Sequence, residues 1–433
     1  MRNNKKKKTK KNVKKKLKVG NLIIFLLIIS FLVIGIIYGI SLITNDDSKN
    51  SKPDDKIAET KNNPKKDKTK VYELTLAMVG DHLIHNGVYN EARKNAGNNG
   101  YDFKPMVSYI KDIVSNYDLA YYNQETILGG AELGLSSYPQ FLSPYEAGDA
   151  MIDAGFNLVS LASNHTMDRY YSTNGKSIEN SCNYWSNTND VLYAGSYTSN
   201  EERNKVKIMK KNNITYTMLS YTYGTNGISV PTGKEYLVNV WPTDIDNVSN
   251  PEYDKKYQAY KETVKEDIEK VRDKVDLLIV AMHWGVEYTH VPTEYQKDMA
   301  NYLSSLGVDI IIGAHPHVIM PVTYINDTLV YYSLGNFISA QEISDYYNKM
   351  VGLLGSAKIT KTVDKNGSSL KVESTENQLI FTYHNGYNYN NFKVVPFSNP
   401  DISKYLPNYK EVFNHYKKVV TNLDDSIIVK DPA

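Results

Sequence analysis

The sequence predicts an α/β layered domain standing behind a single transmembrane helix, and three observations predict it. Short aliphatic runs alternate with amphipathic helical patterns from Val71 onward. Polar side chains able to bind an ion follow the ends of those runs repeatedly. Ahead of them lies a charge-free stretch, Leu22–Ile43, preceded by a strongly basic segment.

The basic segment and the apolar stretch read as one device. Residues 1–18 carry Arg2 and ten lysines and no acid. Without those eleven cations, 39 basic residues face 48 acidic ones, so the rest of the chain is about nine charges negative. As a helix rising ~1.5 Å per residue, Leu22–Ile43 would span roughly 33 Å, the thickness of one bilayer core. A cleaved signal peptide has an apolar run of only about 7–15 residues and a small-residue cleavage site, so an uncleaved anchor is expected. The lysines then stay cytoplasmic, attracted to anionic membrane lipids, and the bulk of the chain lies outside the cell.

The expected organisation is a basic cytoplasmic tail (1–18), a transmembrane anchor (19–44), a disordered tether (45–70), an extracellular α/β domain (71–398) and a C-terminal helix and tail (399–433). Residues 45–70 are polar and charged with almost nothing apolar to pack. Their mean reach is about 25–30 Å at ~5–6 Å × √n. With 433 residues, 41% of them hydrophobic, the chain can bury a large core. Cys182 is the sole cysteine, which excludes an intrachain disulfide and gives no sign of thiol chemistry.

Buried strands are expected in "VYELTLAMVG", "DLAYYNQE", "FNLVSLASNH", "NITYTMLSY", "VDLLIVAMHWG" and "VDIIIGAHPH". Between them, "FKPMVSYIKDIVSNYD" places Met106, Tyr109, Ile110 and Ile113 on one helical face. "PTEYQKDMANYLSSLG" does the same with Met299, Tyr302, Leu303 and Leu306. Thr293 and Gln296 match a capping box, and Gly307 suits the left-handed turn that ends the helix. Residues 350–398 read as an antiparallel extension with a hairpin at "VDKNGSS", followed by a closing helix in "DISKYLPNYKEVFNHYKKVVTNL". His384 and His415 are expected at the surface.

The strand ends carry the chemistry. Asp81, with His82 and His85 nearby, follows the first; Asn123, Gln124 and Glu125 the second; Asn164, His165 and Asp168 the third. His283, Glu287 and His290 follow a later strand, and His315 and His317 the last. The His-Pro-His pair is stiff, because Pro316 fixes its own φ and pushes His315 toward extended backbone. In open α/β sheets ligands bind beyond the carboxyl ends of strands. Imidazole, carboxylate and amide oxygen without thiolate suit manganese, zinc or iron, as one or two divalent ions. His165, oriented by Asp168, is the candidate proton donor. Glu287, His290 and Asn336 are candidate substrate contacts, and His82 is given no role.

"MVGDHLIH", "NQE", "LASNHTMD", "MHWGVEYTHVPTEYQ", "IIGAHPHV" and "YSLGNFI", in this order from about Glu73 to Ile338, resemble the CapA family of capsule-synthesis proteins. That family is also described through poly-γ-glutamate biosynthesis. The resemblance implies a calcineurin-like, metallophosphoesterase-type sandwich. It implies metal ligands at Asp81, Glu125, Asn164, His283, His315 and His317, with His165 beside Asn164. Two departures stand out. The histidine expected two residues after the first acid comes four after it, at His85, which stands as a further candidate metal ligand, and the second acidic motif is reduced to Asn123-Gln124-Glu125.

The resulting expectation is a membrane-anchored extracellular protein acting on poly-γ-glutamate or a related anionic polymer through a metal-dependent, hydrolase-like site. A general extracellular metallophosphoesterase, or a non-catalytic polymer-binding partner of a membrane synthase complex, remain as alternatives. No nucleic-acid partner is expected. Protease added to intact cells is expected to remove the bulk of the chain; a protected C-terminal domain would reverse the assigned topology.

Overall fold

The strand segments are apolar on both faces and therefore need cover on both sides. The computed structural model, which describes residues 69–240, 251–386 and 389–433, supplies it with two stacked sheets flanked by helices. The expected cytoplasmic tail and anchor, and nearly all of the tether, lie outside the described residues. Among the described residues no helix is long and apolar enough to cross a membrane.

The first sheet contains β1 (Lys70–His82), β2 (Leu119–Asn123), β3 (Leu158–Ser160), β4 (Leu192–Ala194), β11 (Asn336–Ile338), β12 (Val351–Asp364), β13 (Gly367–Ser374), β14 (Gln378–Asn385) and β15 (Asn390–Pro396). Its order is β15-β14-β12-β1-β2-β3-β4, with β11 also on β1 and β13 on β12. The second holds β5 (Met209–Lys211), β6 (Ile214–Thr222), β7 (Leu277–His283), β8 (Ile310–Ala314), β9 (Val322–Ile325) and β10 (Thr328–Tyr331), in the order β5-β6-β7-β8-β10-β9. Strands β1 to β4 run parallel, as do β6, β7, β8 and β10. The expected antiparallel extension is β12 to β15, and the expected hairpin turns between Asp364 and Gly367.

Strand alternation divides the apolar residues into three layers. Leu74, Leu76 and Met78 of β1 meet Ile279 and Ala281 of β7 and Ile310 and Ile312 of β8 between the sheets. Ala77 and Val79 point the other way, onto Met106, Val107 and Ile110 of helix Lys104–Val114. On the far side, Leu278, Val280 and Met282 pack on Val264, Ile268, Met299 and Leu303 from helices Pro251–Glu269 and Glu294–Ser305. Each fully buried aliphatic side chain contributes about 1.5–3 kcal/mol. This helix–sheet–sheet–helix layering is a mixed α/β architecture that fits a calcineurin-like fold.

Several local expectations are met or corrected. The capping box is complete: Gln296 N donates to Thr293 Oγ1, and Thr293 N to Gln296 Oε1. Gly307 ends that helix at φ 80°. Both helices turn slightly from their expected faces, leaving Tyr109, Ile113, Tyr302 and Leu306 only partly buried. The closing helix is two, Ile402–Tyr405 and Tyr409–Val420, broken at Pro407, which has no N–H to continue the ladder. His384 is buried against Tyr389 and Phe392, not at the surface.

One close approach positions the site. Asp81 N donates to Gly335 O at 3.0 Å, and a Cβ on Gly80 would lie 1.8 Å from that same oxygen. Only glycine lets the end of β1 sit against the turn at residues 333–336. Gly80→Ala should therefore destabilise the chain by about 1–3 kcal/mol, the usual cost of forced overpacking. Its urea midpoint reports this directly, and an unchanged midpoint would show that the approach tolerates a methyl group.

Candidate metal centre

Strands β1, β2, β7 and β8 end on the same side, and their last residues meet there. Cα pairing sets Asp81 opposite both Asn123 and Asn336, and His283 opposite Ala314, one residue before His315. Asp81, Glu125, Asn164, His283, His315 and His317 are all buried. Burying so many polar groups demands partners for each.

Asp81 has them. Asn123 Nδ2 donates to its Oδ1 at 2.9 Å, His315 N approaches both oxygens at 3.3–3.4 Å, and His317 Nδ1 lies 3.1 Å from Oδ2. Asn336 Oδ1 also sits 3.1 Å from His317 Nδ1. Two oxygen acceptors place a proton on Nδ1, which turns Nε2 toward Glu125, 3.7 Å away. His283 Nδ1 faces Asn123 Nδ2 at 3.3 Å, so its Nε2 carries the proton toward Asn164 Oδ1 at 2.9 Å.

Glu125 is the exception. Its side chain is fully buried, yet neither carboxylate oxygen has a hydrogen-bond partner. Around it stand His317 at 3.7 Å and His283 at 3.9 Å, and the buried Nδ1 of His315 is equally without a partner. An orphaned carboxylate among imidazoles is the arrangement a divalent cation would satisfy. Ligand atoms of Asp81, Glu125 and His317 lie within 4.8 Å of one another. The buried His/Asp/Glu cluster could thus hold a metal ion, and the residues fit one.

The electrostatics agree. Burial, followed by the neighbouring imidazoles, lowers His283 and His315 well below the ordinary histidine range, so both rings stay neutral. Burial pushes Glu125 well above the usual carboxylate range. For His317, burial opposes charge, but Glu125 and Asp81 outweigh it and raise the ring to about 9.

Other expected residues fall into different places. His165 Nδ1 is 2.7 Å from Asp168 Oδ2, which also accepts from Phe141 N at 2.6 Å; the ring stands edge-on to Phe141. His165, Asn164, His317 and Glu287 line one cavity of about 690 Å³ with Tyr138, Phe141, Tyr288, Glu342 and Tyr389. His85 lines that cavity but stands apart from the converging ligand atoms. Its Nδ1 accepts from Ala340 N at 3.2 Å, and its ring meets Phe141. Asn336 is fully buried and is not placed to touch a substrate: its Nδ2 serves Ser339, Gln341 and the Lys349 carbonyl while Oδ1 orients His317. His290 is also committed elsewhere, 2.7 Å from Ile319 O and against His415 and Tyr416. Asn226 enters the site without having been singled out. Asn226 Oδ1 accepts from Asn164 Nδ2, and nothing in its Asn-Gly turn signals that contact.

Ion and proton compete for His317 Nε2, so acid should weaken metal binding. Because His317 titrates near 9, affinity for Mn²⁺ or Zn²⁺ should rise steadily between pH 6 and 9, with proton release on binding. Calorimetric titration at several pH values checks this, and a flat profile would remove His317 from the ligand set.

The model of the family described as bacterial capsule synthesis protein PGA_cap matches residues 75–341, more than half of the chain. The chain is 28% identical over 197 residues to the PGA biosynthesis protein CapA of Bacillus subtilis (strain 168), covering 45% of this chain and 46% of that one. It is 24% identical over 275 residues to the capsule biosynthesis protein CapA of Bacillus anthracis, covering 62% and 60%. The match thus spans about half to three-fifths of each curated relative. Among solved structures, a hypothetical protein from Thermus thermophilus aligns with a TM-score of 0.37 at 14% identity, covering 70% of this chain and 99% of that one. On the strength of the 75–341 match, this chain belongs to the bacterial capsule synthesis protein (PGA_cap) family, that of the CapA proteins.

Proposed function

We propose that this chain is a membrane-anchored extracellular protein of capsule biosynthesis. Its strand-end cluster would bind one or two divalent transition-metal ions and act on poly-γ-glutamate or a related anionic polymer, by cleavage or transfer at an amide or phosphoester. The observation that carries the metal-dependent part is Glu125, a buried carboxylate with neither oxygen bonded, set beside His283 and His317. Family membership supports the polymer, and the basic, apolar N-terminal sequence supports the anchor.

Asp81, Glu125, Asn164, His283, His315 and His317 would hold the ions. A bound ion of this kind lowers the pKa of its water and polarises the bond to be broken. The protein's own residues do the rest. Asp168 fixes the His165 ring through Nδ1, leaving Nε2 to hold a proton for the leaving group. Phe141 restricts water on the edge of that ring. Asn336 and Asn123 keep His317 and His283 turned inward. Among the described residues the cavity has no lysine or arginine in its lining but has Glu287 and Glu342, so the ions would supply the attraction for an anionic substrate.

The test separates chemistry from binding. In the metal-loaded chain, His165→Ala should lower turnover of poly-γ-glutamate or of a phosphodiester reporter by about 10²–10⁴ while metal content stays the same. A wild-type chain that retains the polymer but cleaves neither substrate would replace hydrolysis with a polymer-holding role.

A further inference from the structure

Glu287 is an exposed acid on the turn that follows β7, and several contacts keep that turn from being mobile. Gly285 stands at φ +91°, where a Cβ would lie 2.7 Å from the side-chain amide of Gln296. Tyr288, at φ 62°, donates its N–H to Pro316 O at 2.8 Å, which ties the turn to the His315-Pro316-His317 loop. The Tyr288 ring lies under Lys349 Nζ at 5.1 Å, and its hydroxyl accepts from Gln341 Nε2 at 3.2 Å. On the other side of that clasp, His315 at φ 95° and His317 at φ 59° occupy left-handed backbone that non-glycine residues adopt only when their surroundings compel it.

Two restrained segments thus face each other, and they bring three donor atoms together. One carboxylate oxygen of Glu287 and one ring nitrogen each of His315 and His317 lie within 4.8 Å of one another. Of these, His315 is buried with its Nδ1 unpartnered. From the β1 side the cluster receives the buried Asp81, whose oxygens already bond Asn123, His315 and His317. Glu287 is the exposed carboxylate with an oxygen in reach of ring nitrogens of both His315 and His317.

We propose that Glu287 is itself a metal ligand, closing the solvent side of the centre together with His315 and His317. This rests on the reading of the strand-end cluster as a metal centre. It makes the β7 turn part of the centre and not a contact for the polymer. It also adds a third carboxylate to those of Asp81 and Glu125, which offsets more of the charge of two divalent ions.

The experiment is titration of the full-length chain with Mn²⁺ by calorimetry, and with Co²⁺ by visible absorption, in wild type, Glu287→Gln and Glu342→Gln. Glu342 lines the same cavity, ion-paired with Lys349, and its substitution removes an equal charge from the rim. Glu287→Gln should weaken Mn²⁺ binding by at least about tenfold and change the Co²⁺ band shape, with Glu342→Gln resembling wild type. Equal weakening in both variants would reduce Glu287 to a charge effect and overturn the assignment. So would a Glu287→Gln chain that binds both ions as wild type does. A wild-type chain that takes up no ion would overturn the metal centre as a whole, a result distinct from either of the others.

Discussion

The burial of Asp81 is the constraint on which the rest of this structure depends. A carboxylate out of water is tolerable only when its oxygens are bonded, and removing a single partner from such a group is costly. Its partners come from the neighbouring strand through Asn123 and from the other sheet through His315 and His317. The two sheets are consequently pinned at the one edge where both sets of parallel strands terminate. The bare Cα of Gly80 serves the same end, since it lets β1 reach the turn that delivers Asn336.

Glu125 makes the contrast. It is buried as deeply as Asp81, a few residues beyond the adjacent strand, yet its oxygens meet no donor. Two carboxylates of one kind therefore have opposite roles: Asp81 organises the backbone, and Glu125 presents unused acceptors to a cluster of imidazoles. The depressed basicity of His283 and His315 belongs to the same picture, because both rings are buried and crowd one another.

Much of this was legible in the sequence because strand periodicity and strand-end chemistry are local signals. Six apolar runs located β1, β2, β3, β6, β7 and β8, and the polar residues after them located the cluster. What was not legible is direction and distance. Asn336 looked available at the tip of a turn, but only the folded chain shows it turned inward to His317. His290 lies only three residues beyond Glu287, yet its ring turns away from the cluster and ends against Ile319. Phe141 comes from a long irregular segment with no periodicity, and reaches His165 and His85 only because Asp168 binds its N–H. Pro407 was visible, and reading it as a break would have divided the last helix correctly.

The pairing of β1 with β12 has a kinetic consequence. Lys70 lies opposite Val363 and Met78 opposite Gly355, so a central strand finds one of its neighbours about 280–290 positions later. Loop-closure entropy must be met before that ladder contributes anything, which places this chain among slow folders of high contact order. Until residues 351–364 arrive, β1 and β2 expose an apolar, unpaired edge suited to joining the wrong strand. A newly made chain therefore passes through an interval in which it needs protection from its own copies, and that interval lasts as long as the late strands take to dock.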